Sequence, residues 1–243
     1  MALTRKAGSP LYDRAAAARH VPPLRGRVNR MTTLSFMTAN YVARQVGYQM
    51  PGGWAQGDAS TQAHFKPKKR FAERFEVYIR DIQALGFTSI DLWTSILSPR
   101  WATDTHIDAA ADVLATYDMT VSSLAGEFGD DDETLETACD IANALGTSVL
   151  GGFCGLMAKN RPVMADLLRK YGVTFGLQNH AEATPDALLA QLGGEAGDQA
   201  EDVMGVCADT GWWASQAYPA PDALRTLAPR LLHVHLVDVL AAG

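Results

Sequence analysis

Short apolar runs recur along this chain, each separated from the next by a longer stretch with helical periodicity. The runs at 34–39, 88–93, 120–124, 148–153, 173–178, 203–208 and 231–236 read as buried strands. Between them, apolar residues return every three or four positions, as in the stripe Phe71, Phe75, Tyr78, Ile79, Ile82 and Leu85. Leu85-Gly86, Leu145-Gly146 and Tyr171-Gly172 each end a helix just before a strand, and Tyr117-Asp118 does the same. Helix starts are marked by Thr103-Asp104, by the acidic run from Asp130 to Glu133 and by Thr184-Pro185. The acidic run looks like a metal patch, but its place before an apolar helix favours a helix N-terminus.

From the run at 88 onward, successive strands start roughly 25–30 residues apart, the length of a strand plus its crossover helix. Seven such units predict an α/β fold of the (β/α) TIM-type barrel kind, incomplete, with the eighth strand missing. No Gly-x-Gly-x-x-Gly motif follows the first strand, which removes the main support for a dinucleotide-binding sheet. The stretch from Tyr41 to Lys69, with Pro51, Gly52, Gly53 and Trp54, reads as one long connection, and Trp54 and His64 as members of a lid.

Composition narrows the class. An apolar content of 47% over 243 residues supports a full core, expected as a single domain over 32–243. The net charge is −6, yet residues 1–30 carry seven basic residues against one acid, leaving −12 on the remainder. Residues 1–31 are therefore expected to be a basic tail outside the fold, with Met31 as an alternative start. An acidic body argues against a nucleic-acid partner. Cys139, Cys154 and Cys207 form no disulfide framework or metal motif and are expected as buried thiols. No run is long and apolar enough for a membrane span, and no secretory signal opens the chain, so a cytoplasmic location is expected.

In a barrel the site lies at the C-terminal ends of the strands. Gln178, Asp209 and His235 occupy matched places on the fifth, sixth and seventh strands, and together form a mixed nitrogen and oxygen set suited to Mn²⁺, Mg²⁺ or Zn²⁺. Taken singly, each has a structural reading too: an inward histidine is often a hydrogen-bonded core residue, and Asp before Thr-Gly is often a helix cap. Trp212 and Trp213 offer flat faces for a sugar ring, Asn179 and His180 follow the fifth strand, and Asp91 and Glu127, at the second and third, are candidate substrate contacts.

The motifs Gly205-Val206-Cys207-Ala208-Asp209-Thr210-Gly211 and His233-Val234-His235-Leu236-Val237-Asp238 carry a resemblance. From about residue 32 onward the chain resembles the xylose-isomerase-like barrels, which include sugar phosphate isomerases and epimerases and the endonuclease IV type enzymes. The resemblance implies a divalent metal held by Asp209 and His235, with Gln178 where the family has glutamate and Asn179 beside it. It implies proton transfer next to a carbonyl of a sugar or sugar phosphate. Substrate contacts are expected from Trp212, Asn179, His180, Trp54 and Glu127. Gln178 removes a carboxylate and an acid–base group, so divalent affinity is expected to be weak. The alternatives are a non-catalytic truncated relative that binds sugar or nothing and, third, an endonuclease IV type nuclease. Self-association through the open barrel seam is expected as well.

Overall fold

The structure, a computed structural model, describes residues 33–180, 182–193 and 200–238. The basic tail with Met31 and the residues after Asp238 lie outside that range. Among the described residues the strands are β1 (Phe36–Met37), β2 (Ser89–Trp93), β3 (Thr120–Glu127), β4 (Val149–Phe153), β5 (Thr174–Gln178), β6 (Met204–Asp209) and β7 (Leu231–His235). The helices are α1 (Gly53–Phe65), α2 (Lys68–Ala84), α3 (Asp104–Thr116), α4 (Asp132–Ala144), α5 (Leu156–Lys159), α6 (Arg161–Tyr171), α7 (Pro185–Leu192), α8 (Thr210–Ser215) and α9 (Ala220–Leu227).

All the described strands are parallel and lie in chain order, β1 to β7. A doubly wound sheet would reverse its order part-way, so this topology belongs to a barrel. The sheet is strongly curled. His235 on β7 reaches Asp91 on β2 at 2.8 Å although four strands separate them in the sheet. Among the described residues the result is an incomplete barrel with β1 and β7 as its edges. Leu34, Leu236 and Val237 are exposed beside those edges.

The helices α2, α3, α4, α6 and α7 form where the pattern places them. Phe71, Phe75, Ile79 and Ile82 of α2 are fully buried in one contiguous cluster that includes Ile90 and Leu92 of β2, each contributing roughly 1.5–3 kcal/mol. Thr103 caps α3 in a box with His106, Asp131 caps α4 by accepting from the Thr134 N–H, and Thr184 caps α7. The acidic run thus serves a helix start, and Asp130 pairs with Lys159. Gly86 and Gly172 adopt the left-handed backbone, φ +92° and +66°, that ends a helix and lets a strand begin at once.

The stretch from Tyr41 to Lys69 differs from the expected loop, being mostly helical. The face that α1 buries is Gly57, Thr61 and Phe65, spaced four apart. Two of those three are small or polar, so apolar periodicity is nearly absent. A Cβ at Gly57 would come within 2.6 Å of the Val42 carbonyl oxygen, so the close approach demands glycine.

Candidate metal and sugar site

The ends of β5 and β6 are locked together by backbone and amide. Asn179 is fully buried; its Nδ2 donates to the Asp209 carbonyl at 3.0 Å, and its Oδ1 accepts the Asp209 N–H at 2.7 Å. Expected to meet substrate, Asn179 instead holds the strand that delivers Asp209. Asp209 then caps α8, its Oδ1 accepting from the N–H groups of Gly211 at 2.8 Å and Trp212 at 3.2 Å. Its other oxygen, Oδ2, accepts from Gln178 Nε2 at 3.4 Å and stands 4.0 Å from His235 Nδ1. The three residues expected to share a metal are therefore neighbours, and the ladder itself pairs Asp209 with His235.

On the other side of His235 the arrangement changes. His233 and His235, two apart on β7, both point inward and donate Nε2–H to one oxygen, Oδ2 of Asp91, at 3.0 and 2.8 Å. Ser123 on β3 lies 3.3 Å from the same His233 nitrogen, and the Cys207 sulfur 3.8 Å from His235 Nε2. Asp91 is 2% exposed, and its second oxygen, Oδ1, is buried without a partner among the described residues. The register shifts of the sheet fall here, between Ile90 and Asp91 against β3 and between Val206 and Cys207 against β7. Such irregularities re-aim side chains near sites.

Burial would raise the Asp91 carboxyl, but hydrogen bonds from two imidazoles and their charge outweigh it and hold the group well below the usual carboxylate range. Burial likewise opposes charge on His235, yet its bond to Asp91 and the adjacent Cys207 push it up to about 11. Sequence alone marks no separate role for His233 and makes Asp91 only a candidate substrate contact. The available signals were the His-x-His spacing, which puts both rings on one face, and a carboxylate inside a fully buried strand, which demands a partner. Asp91, His233 and His235 offer ligand atoms all within 4.8 Å of one another. Two imidazoles and a carboxylate oxygen with an unsatisfied twin fit a divalent cation.

These residues line a cavity of about 1370 Å³ that also meets β1 and the rim. Its aromatic shelf consists of Phe153, His180 and Trp212: the His180 ring lies 4.5 Å from Phe153 and 4.9 Å from Trp212. Burial lowers the His180 pKa, which favours the neutral ring. Trp54 packs against Trp93 at 5.4 Å and remains half exposed on the cavity wall. Trp213, by contrast, is fully buried. Glu127 reaches the rim 3.8 Å from Arg100, and Asp58, which no sequence pattern marks, accepts from Ser95. His64 is absent from this cavity and lines a separate groove with Arg44 and Arg74.

A sequence profile of the xylose isomerase-like TIM barrels matches residues 79–242. The chain belongs to that family. No curated protein matches it by sequence. Among solved structures it is similar to a xylose isomerase-like TIM barrel protein from Mycobacterium smegmatis in complex with magnesium, with TM-score 0.55 and 18% identity over 68% of this chain and 66% of that one. It is also similar to a sugar phosphate isomerase/epimerase from Parabacteroides distasonis, with TM-score 0.53 and 12% identity over 90% and 80%. A third is the probable 3-DHS dehydratase AsbF from Bacillus anthracis, with TM-score 0.52 and 14% identity over 84% and 72%. At these identities the likeness is one of fold. Among the described residues no helix is long and apolar enough to cross a membrane.

Proposed function

We propose that this member of the xylose isomerase-like family is a divalent-metal-assisted isomerase or epimerase of a sugar or sugar phosphate. The observation that carries the reading is the convergence of Asp209, His235, Asp91 and His233 at the floor of a cavity rimmed by Trp212, His180 and Phe153. A divalent ion held beside His235 would polarise substrate oxygens flanking the carbon that loses its proton. Trp212 and the neutral His180 ring present flat faces to the C–H side of a sugar, while Trp54 closes the wall. Gln178, an amide, orients hydroxyls and moves no proton. Glu127 and Asp58 are the cavity carboxylates left to carry one. A cytoplasmic enzyme of small-molecule carbohydrate metabolism is the setting that fits.

A non-catalytic sugar-binding relative is the second reading, favoured by Gln178 at a position where the family has an acid–base carboxylate. Metal analysis of the purified protein, combined with an isomerisation screen over ketoses and polyol-derived ketones, separates the two. Turnover that disappears on chelation is expected. A metal-loaded protein inert across the series would leave only the binding role.

A further inference from the structure

The family resemblance places the metal among Gln178, Asp209 and His235. We infer instead that the cation of this chain is coordinated by Asp91, His233 and His235, with Asp209 outside the coordination sphere as the carboxylate that orients His235. The inference deepens the functional reading above and rests on it only for what the ion is used for.

Three observations point the same way. First, Asp209 has one oxygen committed to two backbone N–H groups of α8, and its other oxygen already accepts from Gln178. Second, Asp91 Oδ1 is buried with no partner among the described residues, a cost of about 1–3 kcal/mol that a cation would relieve. Third, His235 turns Nε2 toward Asp91 and Nδ1 toward Asp209. A liganding imidazole commonly has one nitrogen on the metal and the other facing a carboxylate. Asp91 also supplies the negative charge that Gln178 cannot. The donor atoms now sit 2.8 and 3.0 Å apart. They need open only to about 3.3 Å, the separation of two ligands around a tetrahedral ion bound at ~2.05 Å. Three protein ligands leave a position free toward the cavity, as in catalytic rather than structural zinc sites. Two imidazole nitrogens select Zn²⁺ over Mg²⁺.

The test is calorimetric titration of the full chain with Zn²⁺ and Mg²⁺, for the wild type and for Asp91→Asn, His233→Gln and Asp209→Asn. One Zn²⁺ is expected to bind at least about a hundredfold more tightly than Mg²⁺. Asp91→Asn and His233→Gln should each weaken Zn²⁺ by about a hundredfold or more, and Asp209→Asn by about tenfold. Nitrogen NMR of the wild type gives a readout independent of how the variants fold: one equivalent of Zn²⁺ should shift Nε2 of both His233 and His235. A shift at His235 alone, or Asp209→Asn as the largest loss, overturns the assignment. So does Mg²⁺ binding as tightly as Zn²⁺. Because the titration reads binding and the ketose screen reads turnover, either conclusion can fail while the other stands.

Discussion

On the β5–β6 side of the barrel mouth, polar side chains are engaged with backbone: Asn179 holds the Asp209 peptide groups, and Asp209 caps α8. On the β2–β7 side a carboxylate and two imidazoles face one another across the interior, and one carboxylate oxygen has no partner among the described residues. The difference lies in position within the sheet. β5 and β6 have hydrogen-bonded neighbours on both sides, so their ends can be fixed locally. β7 is an edge strand, and its inward histidines gain their contacts only because the sheet curls back toward β2. A carboxylate matched by motif to a ligand position can therefore be a scaffold, while one unmarked by motif carries the unsatisfied charge.

The largest expected effect breaks the scaffold half. Asn179→Ala leaves the Asp209 N–H and carbonyl buried without their amide partners, a loss of about 2–4 kcal/mol in unfolding free energy. Urea denaturation measures it. A change under about 0.5 kcal/mol would mean that the β5–β6 lock contributes nothing. A smaller effect, of opposite sign, sharpens the contrast. Gln178→Glu adds a negative charge beside Asp209 and His235 and should tighten Mn²⁺ at least about tenfold, or 1.4 kcal/mol. Equal affinities in calorimetry would show that position 178 does not sense the cation. The smallest effect concerns the edge. Leu236 is 82% exposed beside β7, and Leu34 is 74% exposed beside β1. We expect concentrated protein to self-associate through that seam and Leu236→Glu to shift it toward monomer in light scattering after size exclusion. A wild type that stays monomeric would show that the edge is covered.

Much of this fold was legible in the sequence. Every described strand falls within a few residues of its apolar run, because each run is short and apolar and four of them follow directly on a Gly or Asp junction. α1 was not legible, because Gly57 and Thr61 on its buried face carry no apolar signal and leave Phe65 alone to mark it. Within the site, Gln178, Asp209 and His235 were placed together by matched strand positions, and the structure does bring them into contact. The partnership of Asp91 with His233 and His235 was not legible. It joins residues 142 and 144 positions apart in sequence, and only the curl of the sheet decides that they meet. The role of Asn179 was hidden for a different reason. An asparagine just past a strand reads equally as a loop, a substrate contact or a backbone clamp, and burial alone separates these.

The division of the mouth into a scaffold and a cation-binding half is tested most directly by anomalous diffraction at the zinc edge from crystals of the zinc-loaded protein. The account predicts one peak within about 2.0–2.2 Å of His233 Nε2, His235 Nε2 and a carboxylate oxygen of Asp91, with Asp209 still capping α8. A peak bound by Asp209 and Gln178, with His233 and Asp91 left in contact with each other alone, would contradict it.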